Sequence, residues 1–116
     1  DWLEEARCYR TCDIAVGMNQ IQLERYSSDR IFRAMGSGAF YLAHYYPGIE
    51  KDFTIGEHLD VWHDIDELEE KIAHYLTRPE EAAKIAFNGM ELVHTKHTWL
   101  DRIYWLQEII GWHQWK

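Results

Sequence analysis

Ser27-Ser28-Asp29 stands directly before Arg30-Ile31-Phe32-Arg33-Ala34-Met35. Three residues able to cap a helix, followed by an apolar-periodic run, predict a helix start at this point. The first turn of a helix carries unpaired N–H groups and partial positive charge, an environment suited to phosphate oxygens. The hydroxyls of Ser27 and Ser28 would enlarge that cradle, and Arg30 adds a fork of donors that can grip an anion in bidentate fashion. Arg33 lies one turn further along the same face. Without further context the same residues also describe an amphipathic surface helix, with Asp29 as its cap or as an arginine's partner.

The other chemistry-bearing residues are more scattered. His44 ends an apolar run, in the region beyond strand ends where ligands of α/β folds collect. It is therefore a candidate for lining a cleft, as is Asn19 after the preceding run. His58, His63, His94 and His97 would have to converge in threes or fours, with supporting partners, to hold a metal. Nothing in their spacing requires that, so no metal is expected. The tryptophans Trp99, Trp105, Trp112 and Trp115 offer stacking faces for sugar rings or a surface for packing against another domain. Packing is the expectation, and left uncovered such a surface would drive self-association into a homodimer. The acidic stretch 64–70 and Glu80-Glu81 read as solvated helix faces and N-terminal dipole partners. Nothing singles out two carboxylates that would face each other across a glycosidic bond.

The elements that must position these residues alternate. Residues 1–11 read as a helix with Trp2, Ala6 and Tyr9 at three-to-four spacing, and 13–18 as a buried strand. Residues 19–26 read as a loop or a loop with a helical turn, and the Arg30 helix is expected to stop at Gly36-Ser37-Gly38. Strands follow at 39–45 and 59–63, separated by the Pro47-Gly48 turn and a short helical segment at 49–53. Asp66 with Glu69 predicts a capping box for a helix through Leu76. Pro79 opens a helix to about Val93 with Gly89 as a weak point, and Thr98 with Asp101 caps a last helix over 99–110. Strands alternating with helices predict an α/β fold: a partial Rossmann-like three-layer domain with a short parallel sheet and a helical C-terminal third. Residues 1–116 are expected to form a single domain.

Composition narrows the function. The chain has 116 residues, 47% hydrophobic and 28% charged, which suits an ordinary globular domain rather than a disordered tail. Its net charge of −8 excludes an extended nucleic-acid surface, because phosphate backbones need clustered lysine and arginine. No apolar run is long enough to form a transmembrane segment. Cys8 and Cys12 sit four apart without further ligands nearby. They read as reduced thiols and, with no leader signature at the N-terminus, predict a cytoplasmic setting.

The stretch from Ser28 to Phe40 resembles the nucleotide-sugar-binding C-terminal domain of GT-B glycosyltransferases of the group 1, family-4-like kind. There an Arg-x-Phe-Glu-Ala-x-Ala-x-Gly helix precedes a strand. Further landmarks follow in the same order: Tyr46-Pro47-Gly48-Ile49-Glu50 with Phe53, Asp66-Glu67-Leu68, Ile72 with Tyr75-Leu76, Pro79-Glu80-Glu81, Ile85-Ala86 with Gly89, and His97-Thr98-Trp99 with Arg102. The resemblance spans roughly 13–110 and about a third of a complete enzyme of that type. It implies that Ser27, Ser28, Asp29, Arg30 and Arg33 hold the diphosphate and ribose of a nucleotide-sugar donor, with no cofactor beyond that donor. It also implies a partner, either a missing N-terminal domain or a separate subunit carrying the acceptor site. The chain departs from the family pattern by carrying Arg33 where a ribose-holding glutamate is usual. Eight positions earlier it has Arg25, beside Glu24, so the Glu-x7-Glu signature is unmatched. The expectation is the donor-binding portion of a hexosyltransferase, of retaining type and inactive alone. A non-catalytic nucleotide-sugar-binding or subunit-docking module is the alternative. A receiver-type regulatory domain would need an early acidic cluster and a later strand-ending lysine, and neither is visible.

Overall fold

The structure, a computed structural model, describes residues 1–19, 23 and 27–111. Glu24, Arg25, Trp112 and Trp115, weighed above, lie outside the described residues. Helix α1 (Trp2–Thr11) leads to strand β1 (Ala15–Val16), helix α2 (Arg30–Gly36) and strand β2 (Tyr41–His44). A 3₁₀ turn (Ile49–Lys51) precedes strand β3 (Asp60–Trp62), after which α3 (Ile65–Leu76), α4 (Pro79–Lys96) and α5 (Trp99–Ile110) complete the described chain. The three strands are parallel in the order β1-β2-β3, with Ala15 opposite Tyr41 and His44 opposite Trp62. This is a partial Rossmann-like α/β fold with a short sheet.

Apolar side chains fill both faces of the sheet. On one side Tyr41, Ala43 and Val61 pack with Ile31, Ala34 and Met35 of α2 and with Val93 of α4. On the other side Phe40 packs with Tyr75 of α3 and with Ala82, Ile85 and Ala86 of α4. Successive strand side chains point to opposite faces, so Phe40 and Tyr41 serve different layers. The single buried charge of note among the described residues is Asp60. Its carboxylate accepts from Tyr75 Oη at 2.6 Å and pairs with Lys71 Nζ at 3.0 Å, tying α3 to β3.

Several boundaries differ from the pattern-based reading. The first strand is two residues rather than six, because among the described residues β1 lies at the sheet edge and bonds β2 alone. Helix α3 is capped by Asp64, which accepts from the Glu67 amide at 2.8 Å, and not by Asp66. Asp66 lies inside the first turn, where it complements the helix dipole. The segment after Pro47-Gly48 is a single 3₁₀ turn. The Thr98–Asp101 capping box forms as expected. Gly89 is not a weak point. A Cβ there would lie 2.4 Å from the His58 carbonyl oxygen, so glycine is what lets α4 cross the loop before β3.

Candidate functional site

The site is assembled at the carboxyl ends of β1 and β2. Gly17 continues β1 by donating its N–H to Leu42 O at 3.0 Å. A side chain at Gly17 would collide with the Tyr41 hydroxyl, 2.0 Å from a Cβ. The Gly17 carbonyl accepts from Trp62 Nε1 at 3.1 Å. This pins the Trp62 indole under the strand ends, and His44 stacks flat upon it, centroids 4.2 Å apart and 7° from parallel. Asn19 then clamps His44 twice. Its backbone N–H donates to His44 Nδ1 at 3.1 Å and its side-chain Nδ2 to His44 O at 3.2 Å. The amide of Asn19 thus fixes the orientation of the ring, with Nδ1 as its acceptor.

Asn19, Ser27, Ser28 and His44 line one crevice, floored by Ile31 and Tyr46. Asn19 follows β1, His44 ends β2 and the two serines precede α2, so the fold brings together residues up to 25 positions apart in sequence. The crevice encloses about 10 Å³, room for roughly one water molecule. A ligand as large as a diphosphate would lie across its mouth, beside the start of α2. Arg30 stands there, exposed and, among the described residues, without a carboxylate in ion-pair distance. Its charge reaches Tyr41, whose hydroxyl is nonetheless pushed up to about 12, chiefly by burial.

Asp29 and Arg33 behave differently from the serines. Asp29 heads α2 with helical backbone angles, φ −65° and ψ −13°, and its side chain makes no cap bond. A capping side chain needs an extended backbone to reach back to the first amides. Asp29 instead pairs with Arg33 Nε at 3.6 Å, and Arg33 Nη1 reaches Glu5 of α1 at 3.3 Å. Arg33 therefore faces outward from the crevice and sits against a second cleft.

That second cleft, of about 270 Å³, lies between α2 and the start of α5. Ser27, Asp29 and Arg33 form one wall, and Phe32, His97, Trp99 and Arg102 the rest. Arg102 lies over the Phe32 ring at 5.5 Å and donates from Nη2 to His97 Nδ1 at 2.9 Å. The other nitrogen of His97 meets the Asp52 carbonyl at 3.3 Å. Burial, reinforced by the adjacent Arg102 charge, holds His97 below the usual histidine range, consistent with a neutral ring accepting from the guanidinium. Phe32, His97, Trp99 and Arg102 as a group were not singled out by sequence reasoning. The signal available was the His97-Thr98-Trp99 and Arg102 spacing, which gathers the two cleft-lining rings and the guanidinium at the junction of α4 and α5.

The remaining candidates take other roles. His94 Nε2 lies 2.8 Å from the Gly36 carbonyl, and His63 pairs with Glu67 at 2.8 Å, an interaction that holds the Glu67 carboxyl below its ordinary range. Among the described residues, no three His, Cys, Asp or Glu side chains converge as a metal centre requires. Cys8 and Cys12 are both free thiols. No helix among the described residues is long and apolar enough to cross a membrane. Helix α5 buries none of its residues, and Trp99 and Trp105 are 82% and 64% exposed.

A family model described as glycosyl transferase-like matches residues 3–109. No curated protein and no solved structure matches the chain.

Proposed function

This chain belongs to the glycosyl transferase-like family, and we propose that its part in glycosyl transfer is to hold the diphosphate of a nucleotide-sugar donor. The observation that carries this reading is the meeting of Asn19, Ser27, Ser28 and His44 in one crevice beneath the start of α2, with Arg30 exposed beside it. The amides opening α2 and the Arg30 guanidinium supply donors and positive charge, and His44, stacked on Trp62 and bonded to Asn19, gives the crevice a fixed polar wall. Preorganised donors of this kind stabilise charge on a departing diphosphate without needing to reorganise. The donor's sugar would project from the strand ends toward an acceptor on a second domain or subunit, in the manner of a GT-B enzyme. That partner would also cover the apolar surface of α5, and without it two copies of the chain would pair through the same surface.

A specific departure favours a second reading. Arg33 stands where the resembled family carries a ribose-holding glutamate, and it is engaged by Asp29 and Glu5. A module that binds the donor without turning it over fits that arrangement.

Calorimetric titration of the chain with UDP, GDP, ADP and their hexose conjugates tests the proposal. One nucleotide should bind saturably, and Arg30→Ala should weaken it by about tenfold or more, the worth of one charge-assisted phosphate contact. Equal binding by the Arg30→Ala protein would remove the site from this position.

A further inference from the structure

A cavity of about 280 Å³ lies at the amino ends of the strands, the end of the sheet opposite the donor crevice. Asp13 leads into β1 and Phe40 into β2, while Leu76 at the end of α3 and Ala82 and Ala86 of α4 form the facing wall. The volume falls just short of the roughly 300–1,000 Å³ that holds drug-sized ligands, so the cavity suits a smaller molecule. Helix α5 begins at the other end of α4, about 27 Å away along 18 residues. The cavity is therefore remote both from the donor and from the surface assigned to a partner.

Its lining divides cleanly by chemistry. Phe40 and Tyr75 are buried, with ring centroids 4.4 Å apart, and with Ala82 and Ala86 they make an apolar floor. The Tyr75 hydroxyl is turned to Asp60 at 2.6 Å, and the Cys12 thiol donates to the Tyr9 carbonyl at 3.3 Å, so neither is left for a ligand. The remaining polar side chains of the lining are Arg10, in the last turn of α1, and Asp13. Both are exposed on the rim, and among the described residues neither has an ion-pair partner, including the other. One cation and one anion thus face the same cavity without meeting across it.

A ligand that satisfies both rim charges must carry both signs, and one that covers the floor must carry an apolar group as well. A guanidinium fork matches a carboxylate, and a carboxylate matches an ammonium. An α-amino acid has its two charges on one carbon, which leaves the side chain free to enter the floor. A peptide terminus carries only one of the two charges and leaves the other rim group unmatched. We propose that this cavity binds a free α-amino acid with an apolar side chain, its carboxylate on Arg10, its ammonium on Asp13 and its side chain on Phe40. At the amino ends of the strands such a ligand cannot meet the donor's sugar, so it is an effector and not an acceptor.

The test titrates the chain with L-phenylalanine and L-leucine, and with three probes that each lack one feature: glycine, 3-phenylpropionate and phenethylamine. Binding is followed by calorimetry and by amide chemical shifts. At least one of the two apolar amino acids should bind saturably and move the amides of Asp13, Phe40 and Ala82. The three incomplete probes should each bind about tenfold more weakly or not at all. Arg10→Gln and Asp13→Asn, both at exposed positions, should each weaken the amino acid about tenfold. Ala83→Phe, which fills the cavity from an exposed position on its rim, should do the same without touching either charge. Thermal melts confirm that each variant is folded. Binding of neither amino acid at millimolar concentration, equal binding of 3-phenylpropionate or phenethylamine, or indifference to either charge replacement would overturn the proposal. So would shifts confined to other surfaces. Arg30→Ala should leave amino-acid affinity unchanged, so a failure of the donor reading and a failure of this one are separate results.

Discussion

Replacing Gly89 by alanine sets two effects of known sign against each other. Gly89 lies well inside α4, where alanine lowers the backbone entropy cost of the helix and should stabilise by about 0.5–1 kcal/mol. The added Cβ, however, meets the His58 carbonyl oxygen at 2.4 Å and Met35 Cε at 2.9 Å. Met35 is a flexible chain end that can swing aside. The His58 carbonyl is backbone, held by the turn in which the His58 N–H donates to Thr54 O at 3.0 Å and the Thr54 N–H to His58 Nδ1 at 2.9 Å. Moving a restrained backbone in a packed core costs about 1–3 kcal/mol, and the backbone contact puts this case at the upper end. The net expectation is a loss of about 2 kcal/mol, or about 8 °C in Tm at this chain length. Urea unfolding followed by circular dichroism gives the midpoint and slope, and the midpoint should fall at unchanged slope. Ala73→Gly, at an exposed position of α3, calibrates propensity alone and should lose about 0.5–1 kcal/mol. If Gly89→Ala is as stable as the wild type or more so, helix propensity has won and the close crossing of α4 over the His58 loop is refuted.

Two further outcomes follow from the buried polar groups. Tyr75→Phe removes one of the donors to the buried Asp60 carboxylate and should destabilise by about 1–2 kcal/mol, less than an uncompensated charge would because Lys71 remains; an unchanged denaturation midpoint would contradict the network. Tyr41 carries a hydroxyl raised from an ordinary value of 10.0 to about 12, first by burial. Folding favours its neutral form, so its contribution is complete below pH 10 and is lost as pH rises toward 12. Stability should fall across that window, and Tyr41→Phe should flatten the fall; an equally steep decline in the variant would show that Tyr41 does not carry it.

The alternation of apolar runs with helical patterns made the parallel α/β arrangement legible, and the Thr98–Asp101 pair announced the start of α5 correctly. The cap of α3 was misread by two residues. Asp64 and Asp66 are equally good caps by type, and only the extended backbone at Asp64, φ −138° and ψ 170°, distinguishes them. Asn19 and His44 were legible as candidates because one follows an apolar run and the other ends one. Their mutual clamp was not, since it depends on a 25-residue separation closing in space. Trp62 was read only as part of a strand, yet its ring nitrogen and its face fix both Gly17 and His44. Gly89 looked like a flaw because helix propensity is local while the His58 carbonyl that explains it comes from another segment. The Phe32–His97–Arg102 cluster escaped for the same reason, being spread over α2 and the junction of α4 and α5.

The most direct test of the account is to map a nucleoside diphosphate onto the chain by amide chemical shifts, titrating with UDP, GDP and ADP in turn. The account predicts that one of them moves the amides of Asn19, Ser28, Asp29, Arg30 and His44 together, with saturation at a common affinity, and that Arg30→Ala moves that saturation to about tenfold higher ligand concentration or beyond. Shifts confined to other surfaces, or saturable binding that leaves the start of α2 and His44 undisturbed, would contradict it.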